Sequence, residues 1–377
     1  MTKKIGLLAL ALAALVALAS LTASAGATTL PGGALKAGLD RMVATRAATA
    51  ALARLDDGPA HWSGAAGVRE LSSPARPRAD GHFRIGSVTK TFVATVLLQL
   101  ADEGRLGLDD PIARHLPGTV PNGERITVRQ LLNHTSGLYD YMHDPGYSTN
   151  RWRGDARFRS YRPQELLAVA FSHPPVFPHP GSAWKYSNTN YIVAGLLIER
   201  LTGRDYGTEI RDRILRPLGL AHTTVPGDHP GVAEPHAHGY TWIDGGPVDA
   251  TAMNPSLDWA AGEMVSTSAD LNRFLAALLA GRLTSAAGLA AMKQTVPTGT
   301  DFQYGLGLQR FDLPCGARVF GHGGELIGFL TYATGSAGGR QLTLSYNPHS
   351  RPAPAETVIG LFNSAYCQAD PTRHEKR

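Results

Sequence analysis

Cysteine is almost absent from this chain, with two residues in 377, Cys315 and Cys367. So few exclude a small disulfide-built scaffold and a cysteine-rich metal centre. Charge is scarce too, at 18% of residues with a formal net charge of +5. A balance that small over this length leaves no basic footprint for nucleic acid. Beyond the first 27 residues no apolar run is long enough to span a bilayer, so no stable membrane anchor is expected there. Internal repeats, low-complexity tracts, phosphate-binding glycine loops and a G-x-S-x-G nucleophile elbow are all missing. What is present is a 43% hydrophobic composition, enough for one large body, or two interleaved ones, with a sizeable core.

The first residues read differently from the rest. Lys3 and Lys4 precede an almost wholly apolar stretch from Ile5 to Leu21, followed by Ala23-Ser24-Ala25. That order predicts a secretory signal over residues 1–25, cleaved after Ala25 or, through Ala25-Gly26-Ala27, after Ala27. An uncleaved anchor is the alternative. The expected product is secreted and monomeric, and ends in a polar tail, 368–377. Export would place Cys315 and Cys367 in an oxidising compartment, where they can pair; two buried free thiols are the other reading.

The pattern along the chain predicts an α+β fold, with strands at both ends and a mostly helical lobe inserted over roughly 105–265. Strands are expected over Ala50 to Leu55 and Ala66 to Leu71 around an Asp56-Asp57-Gly58-Pro59 turn. A long helix then carries Phe92, Val93, Val96, Leu97 and Leu100 on one face and ends at Gly104. Further helices follow Thr127 and Pro163, run from Asn190 to Leu201, and run from Ser268 to Leu279. Late strands are expected at Tyr304 to Phe311, Ala317 to His322, Gly328 to Thr334 and Arg340 to Tyr346. Their short connections require antiparallel neighbours. A helix from Ala355 to Tyr366 can then cover one sheet face, and the cleft between sheet and helical lobe is the expected place for chemistry.

Three motifs carry that chemistry. Ser87-Val88-Thr89-Lys90 opens the first long helix, where free N–H groups and the positive dipole end favour negative charge near the serine oxygen. Lys90, three residues on, returns to the same face, and burial can lower its pKa until it serves as the base that serine needs. Taken alone, S-x-x-K is weak; a capping serine and a solvated lysine explain it better. Tyr186-Ser187-Asn188 follows a proline-rich approach, and His322-Gly323-Gly324 is expected at a strand end, its glycines admitting substrate backbone. Together the motifs offer a nucleophile, a base, a phenol and an imidazole for proton transfer, and an amide able to hold both Lys90 and a substrate carbonyl.

With those motifs in place, the chain resembles the serine penicillin-recognising enzymes, the β-lactamase-type family that holds class C β-lactamases, DD-peptidases and related esterases. Within it, the secreted D-alanyl-D-alanine carboxypeptidase/transpeptidases are the most similar group. The resemblance rests on Phe83 to Lys90, Leu98-Gln99-Leu100, Ser136 to Tyr141, Tyr186 to Asn190, Tyr304 to Leu308 and Gly321-His322-Gly323. It extends from about residue 30 to Cys367 and takes in both cysteines, which strengthens the paired reading. It implies a β-lactamase/DD-peptidase-like domain over 30–367, with Ser87 acylated, Lys90 and Tyr186 exchanging its proton, and Asn188 holding the acyl-side amide. It further implies that His322 keeps Tyr186 acidic, that the Ser87 and Glu325 N–H groups form an oxyanion hole, and that Trp259 walls the cleft or else anchors the core.

The resemblance also implies peptidoglycan stem peptides as substrates, β-lactams as acylating ligands, and no cofactor or metal. Two departures bear on this. Gln309 and Gly323 stand where the carboxypeptidases place an arginine and a threonine that grip a free carboxylate, with Arg310 adjacent, and Glu325 adds a like charge. An esterase, amidase or β-lactamase with the same machinery is therefore an alternative, as is a penicilloylated receptor without turnover. The histidine pairs His236/His238 and His173/His179 lack a third ligand at metal spacing and read as loop residues.

Overall fold

The structure, a computed structural model, describes residues 30–148, 154–350 and 353–367. The expected signal segment and the polar tail lie outside the described residues. Strands β1 (Ala48–Asp57), β2 (Ala60–Gly67), β3 (His82–Arg84), β4 (Tyr240–Ile243), β5 (Gly246–Asp249) and β6 (Val265–Thr267) are followed by β7 (Val296–Pro297) and β8 (Gln303–Tyr304). The last four are β9 (Gln309–Asp312), β10 (Arg318–Leu326), β11 (Phe329–Ser336) and β12 (Arg340–Pro348). Eight of them form one sheet in the order β2-β1-β12-β11-β10-β9-β8-β7, every neighbour antiparallel. The first and last long strands, β1 and β12, are thus side by side, which closes the sheet across the whole chain length.

The helices are α1 (Gly32–Ala44), α2 (Thr89–Asp102), α3 (Ile112–His115), α4 (Val128–Leu132), α5 (Pro145–Ser148), α6 (Pro163–Phe171) and α7 (Thr189–Thr202). They continue as α8 (Tyr206–Ile210), α9 (Arg216–Leu218), α10 (Ser268–Leu279), α11 (Ala286–Lys293) and α12 (Ala355–Tyr366). Helices α3 to α9 and the β4–β5 hairpin fall in the stretch expected to form the inserted lobe. Their ends follow local chemistry. Thr127 and Gln130 make a reciprocal capping box at α4, and the Thr267 hydroxyl accepts from the Asp270 N–H at the start of α10. Gly203 and Gly219 close α7 and α9 in the left-handed conformation.

Two cores hold the layers together. On one sheet face, α1 and α12 bury Leu35, Leu39, Leu361 and Phe362 against Leu342, Leu344 and Tyr346. On the other, α10 and α2 pack into the main core, with the rings of Phe92 and Phe274 stacked. Each fully buried aliphatic or aromatic side chain contributes about 1.5–3 kcal/mol of transfer free energy.

Three sequence expectations are corrected here. The second strand is Ala60–Gly67 rather than Ala66 to Leu71, because the hairpin pairs residue for residue from Asp57↔Ala60 to Ala50↔Gly67. It stops at Gly67, whose φ of +88° and 2.1 Å approach of a would-be Cβ to the Thr49 carbonyl exclude a side chain. The strand expected from Tyr304 to Phe311 is split into β8 and β9. Between them Gly307 (φ +66°) loops out, donating its N–H to Leu132 O and accepting from the Thr91 hydroxyl at 2.7 Å. That loop ties the sheet to α2. Finally, His322 lies within β10, not at a strand end, since pairing with β11 continues to Leu326.

Cys315 and Cys367 form a disulfide, with Cα atoms 5.8 Å apart, linking the β9–β10 turn to the end of α12. Closing a loop of this size stabilises by about 4 kcal/mol in the chain-entropy description. The double replacement Cys315→Ser/Cys367→Ser should therefore lower unfolding free energy by roughly 2–5 kcal/mol in a denaturant titration. An unchanged midpoint would show that the bond contributes nothing to the native state.

Candidate active site

The short 3-10 turn Gly86–Val88 leads directly into α2 and sets Ser87 at the helix entrance. Two close approaches put it there. A Cβ on Gly86 would lie 2.6 Å from the Glu325 carbonyl, and one on Gly324 would lie 1.9 Å from the Ile85 carbonyl. Gly324 thus serves backbone packing between β10 and the Ser87 turn, while Gly323, whose would-be Cβ meets only the Tyr332 ring and the Gln309 amide, lines the cleft beside it.

Lys90 is fully buried on α2. Its Nζ lies 3.0 Å from Ser87 Oγ, 2.8 Å from Asn188 Oδ1 and 2.7 Å from Ala261 O. Burial lowers its pKa to about 7, while the negative charges of Asp140 and Asp258 oppose that shift. A neutral amine has two N–H donors and one lone pair. The two carbonyl acceptors take the donors, so the lone pair is left facing the Ser87 hydroxyl. The Asn188 amide is itself oriented, because its Nδ2 donates to Asp140 Oδ2 at 2.9 Å. A chain from buried Asp140 through half-buried Asn188 to buried Lys90 therefore aims a base at the serine.

Tyr186 donates its O–H to Ser87 Oγ at 2.8 Å. Burial raises its pKa well above the ordinary phenol value, against the opposing effect of the Ser87 bond. In the resting site it is therefore a protonated donor to the serine oxygen. The expectation that His322 keeps Tyr186 acidic is not met. His322 Nε2 instead accepts from the Tyr304 hydroxyl at 2.6 Å, and its Nδ1 is directed to Gly323 O. Burial, with the Lys90 charge adding to it, lowers the His322 pKa to about 3, so the ring is neutral.

Sequence reasoning missed the residue that supports Tyr186. His134, buried at a φ of +61°, stacks on the Tyr186 ring at 4.2 Å. Its Nδ1 lies 3.2 Å from the Ser187 N–H and 3.1 Å from Asn190 Nδ2, so it accepts from the loop that holds Tyr186 and Asn188. His134 precedes the Ser136 to Tyr141 segment by two residues, and that segment also contains Asp140, to which no role had been given. A lone histidine beside a recognisable loop is a signal too weak to read without coordinates.

Most of the remaining expected residues gather at the cleft. Gln309 Oε1 accepts from the Gly323 N–H at 2.7 Å. Alternation along β10 then turns the Glu325 N–H to the same open strand edge, toward the Ser87 turn, as an oxyanion donor requires. Glu325, Gly323, Gly324, Gln309 and Asn188 line the cleft with Ser87. Trp259 does not; its indole packs edge-on to Tyr206 and over Gly195, the core-anchor alternative. Arg310 turns away to Asp312 and Thr295 and gives no grip on substrate. His238 pairs with Asp249 and His173 stacks on Tyr139, so each histidine pair is engaged locally.

Because the neutral amine is the competent base, kcat/KM should rise as pH increases through about 7 and then level off. A pH–rate profile on a neutral substrate checks this, and a limb absent near that pH would remove Lys90 from the role. His134→Phe strips an acceptor from two buried donors, a loss of about 1–3 kcal/mol, which entering the barrier lowers kcat roughly 5- to 150-fold. Its pH limb should persist, since the Lys90 contacts are untouched; steady-state kinetics across pH separate this from a general loss of fold.

Comparison with known proteins agrees with this geometry. Residues 35–343 match the Beta-lactamase family. A relative named penicillin-binding protein 4 from Amycolatopsis lactamdurans is 32% identical over 308 residues, covering 75% of this chain and 76% of its own. Penicillin-binding protein 4* of Bacillus subtilis is 29% identical over 70% of this chain, but only 60% of its own length is spanned. Among solved structures, a D-stereospecific amidohydrolase from Streptomyces sp. superposes with a TM-score of 0.82 at 40% identity, covering 89% of this chain and 98% of that one. The D-amino acid amidase of Ochrobactrum anthropi SV3, complexed with L-phenylalanine amide, gives 0.79 at 31% identity, with the same coverage of both chains. An alcohol, an amine and a phenol in mutual contact within this shared fold mark the chain as a serine hydrolase belonging to the beta-lactamase family.

Proposed function

We propose that this protein is an amidohydrolase acting through an acyl-enzyme on amides of D-amino acids or short peptides whose far end carries no free carboxylate. One observation carries the reading. Among the described residues that line the cleft are the carboxylates Asp258, Asp301 and Glu325, with Asp312 paired to Arg310 and Arg318, and no lysine or arginine is in the lining. A substrate carboxylate there meets like charge and loses a charge-assisted bond of about 1.5–3 kcal/mol, one to two powers of ten in affinity. A neutral amide end meets no such penalty, and a free α-ammonium group is attracted. The names of the similar amidases support this choice of substrate. Kinship with penicillin-binding proteins favours the second reading, a D-alanyl-D-alanine carboxypeptidase on peptidoglycan stem peptides that β-lactams acylate. Under either reading the basic, apolar and small-residue run at the N-terminus would carry the enzyme out of the cell.

The steps follow from the contacts. Neutral Lys90 takes the Ser87 proton as Oγ attacks the carbonyl carbon, and the oxyanion settles on the Ser87 and Glu325 N–H groups. As the C–N bond breaks, Tyr186 gives its phenolic proton to the leaving nitrogen and regains one from the Lys90 ammonium, since the phenolate is too costly to persist at this burial. Water then repeats the sequence on the ester, releasing acid and restoring Ser87.

The discriminating experiment compares an acyl-D-Ala-D-Ala peptide as free acid with the same peptide amidated. The amidated form should show at least about tenfold higher kcat/KM, the lower end of the lost carboxylate grip. Preference for the free acid would favour the carboxypeptidase instead. Ser87→Ala should abolish turnover and labelling by a fluorescent penicillin while circular dichroism stays unchanged.

A further inference from the structure

The cleft has a volume of about 870 Å³, near the upper end of small-molecule sites and far more than a simple amino acid amide fills. Its surplus space has a definite chemistry. From Tyr186 an unbroken file of aromatic rings runs away from Ser87. Tyr186 and Trp184 have centroids 6.4 Å apart, Trp184 and Phe302 6.1 Å, Phe302 and Phe311 5.9 Å, and Phe311 and Phe362 5.8 Å. Phe302, Phe311 and Phe362 all line the cleft, and so does Ile359 on α12. Ile359 is 37% exposed, a large apolar side chain left in solvent that the fold itself does not account for.

The direction of the file decides what it meets. It starts at Tyr186, the group that hands its proton to the leaving nitrogen, and so offers apolar surface to whatever is attached to that nitrogen. The far wall is fixed in place, because α12 is packed on the sheet through Leu361 and Phe362 and tied at its end by the Cys315–Cys367 bond. We infer that the trough from Tyr186 to Phe362, roofed by Ile359, is a leaving-group subsite that selects amides of bulky apolar amines. This rests on the amidohydrolase reading and adds the substrate's second half to it. The bond change is the one already described, with the carbonyl–nitrogen bond broken, the serine ester formed, and the amine released carrying the proton from Tyr186.

The test is a series of D-alanine N-alkylamides whose amines have matched basicity: methyl, butyl and cyclohexylmethyl. The enzyme should show kcat/KM rising roughly fourfold per buried methylene along the series. Ile359→Asp and Phe311→Ala should each cut the cyclohexylmethyl-to-methyl ratio at least about fivefold, whereas Leu71→Asp, at an exposed position outside the cleft, should leave the ratio unchanged. A flat series, or a ratio unmoved in both cleft variants, overturns the subsite while leaving the amidohydrolase intact. If no amide in the series is cleaved although penicillin still acylates Ser87, the amidohydrolase reading fails and the subsite falls with it.

Discussion

The arrangement around one buried amine governs the rest of this structure. Lys90 sits in the core with two carbonyl oxygens in reach, and a neutral amine satisfies both while keeping its lone pair for Ser87. Were the amine charged, its third N–H would point at the serine oxygen and no base would be present. Desolvation makes the neutral form accessible near neutral pH, and nearby Asp140 and Asp258 stop the shift from going further. Reactivity is thus set by packing: the layers that exclude water from Lys90 are the same ones that make it a base.

Several apparently separate features serve that burial. The outward loop at Gly307 brings the sheet against α2, where a Cβ would lie 2.9 Å from the Lys90 carbonyl. Gly86 and Gly324 let β10 and the Ser87 turn approach to backbone contact. His134 and Asp140 hold Tyr186 and Asn188 from the lobe side. Sheet and lobe therefore meet at a seam of glycines and buried polar groups. A small displacement there would open the site to water and return Lys90 to an ordinary ammonium.

On the proposed reading, substrate choice in this protein lies at the cleft rim rather than in the proton relay. The contacts among Ser87, Lys90, Tyr186 and Asn188 suit any acyl transfer to serine. Gln309 bound to Gly323, Glu325 at the strand edge and Arg310 turned outward together remove positive charge from the place where a terminal carboxylate would lie. On that reading, the same relay would thereby be directed toward neutral ends.

Much was legible from the chain alone, and for local reasons. Capping residues, helical spacing and short turns are properties of neighbouring residues, so α4, α7, α10, α12, β11 and β12 could be placed, and S-x-x-K brings serine and lysine onto one helix face whatever surrounds them. Other features depend on partners remote in sequence. That His322 binds Tyr304 rather than Tyr186, that Trp259 turns into the core, that His134 supports the phenol and that β8 and β9 separate at Gly307 are decided by which surfaces meet. Local propensity could nominate the reacting groups. Only tertiary packing, by removing water and fixing each donor's acceptor, decided their protonation and roles.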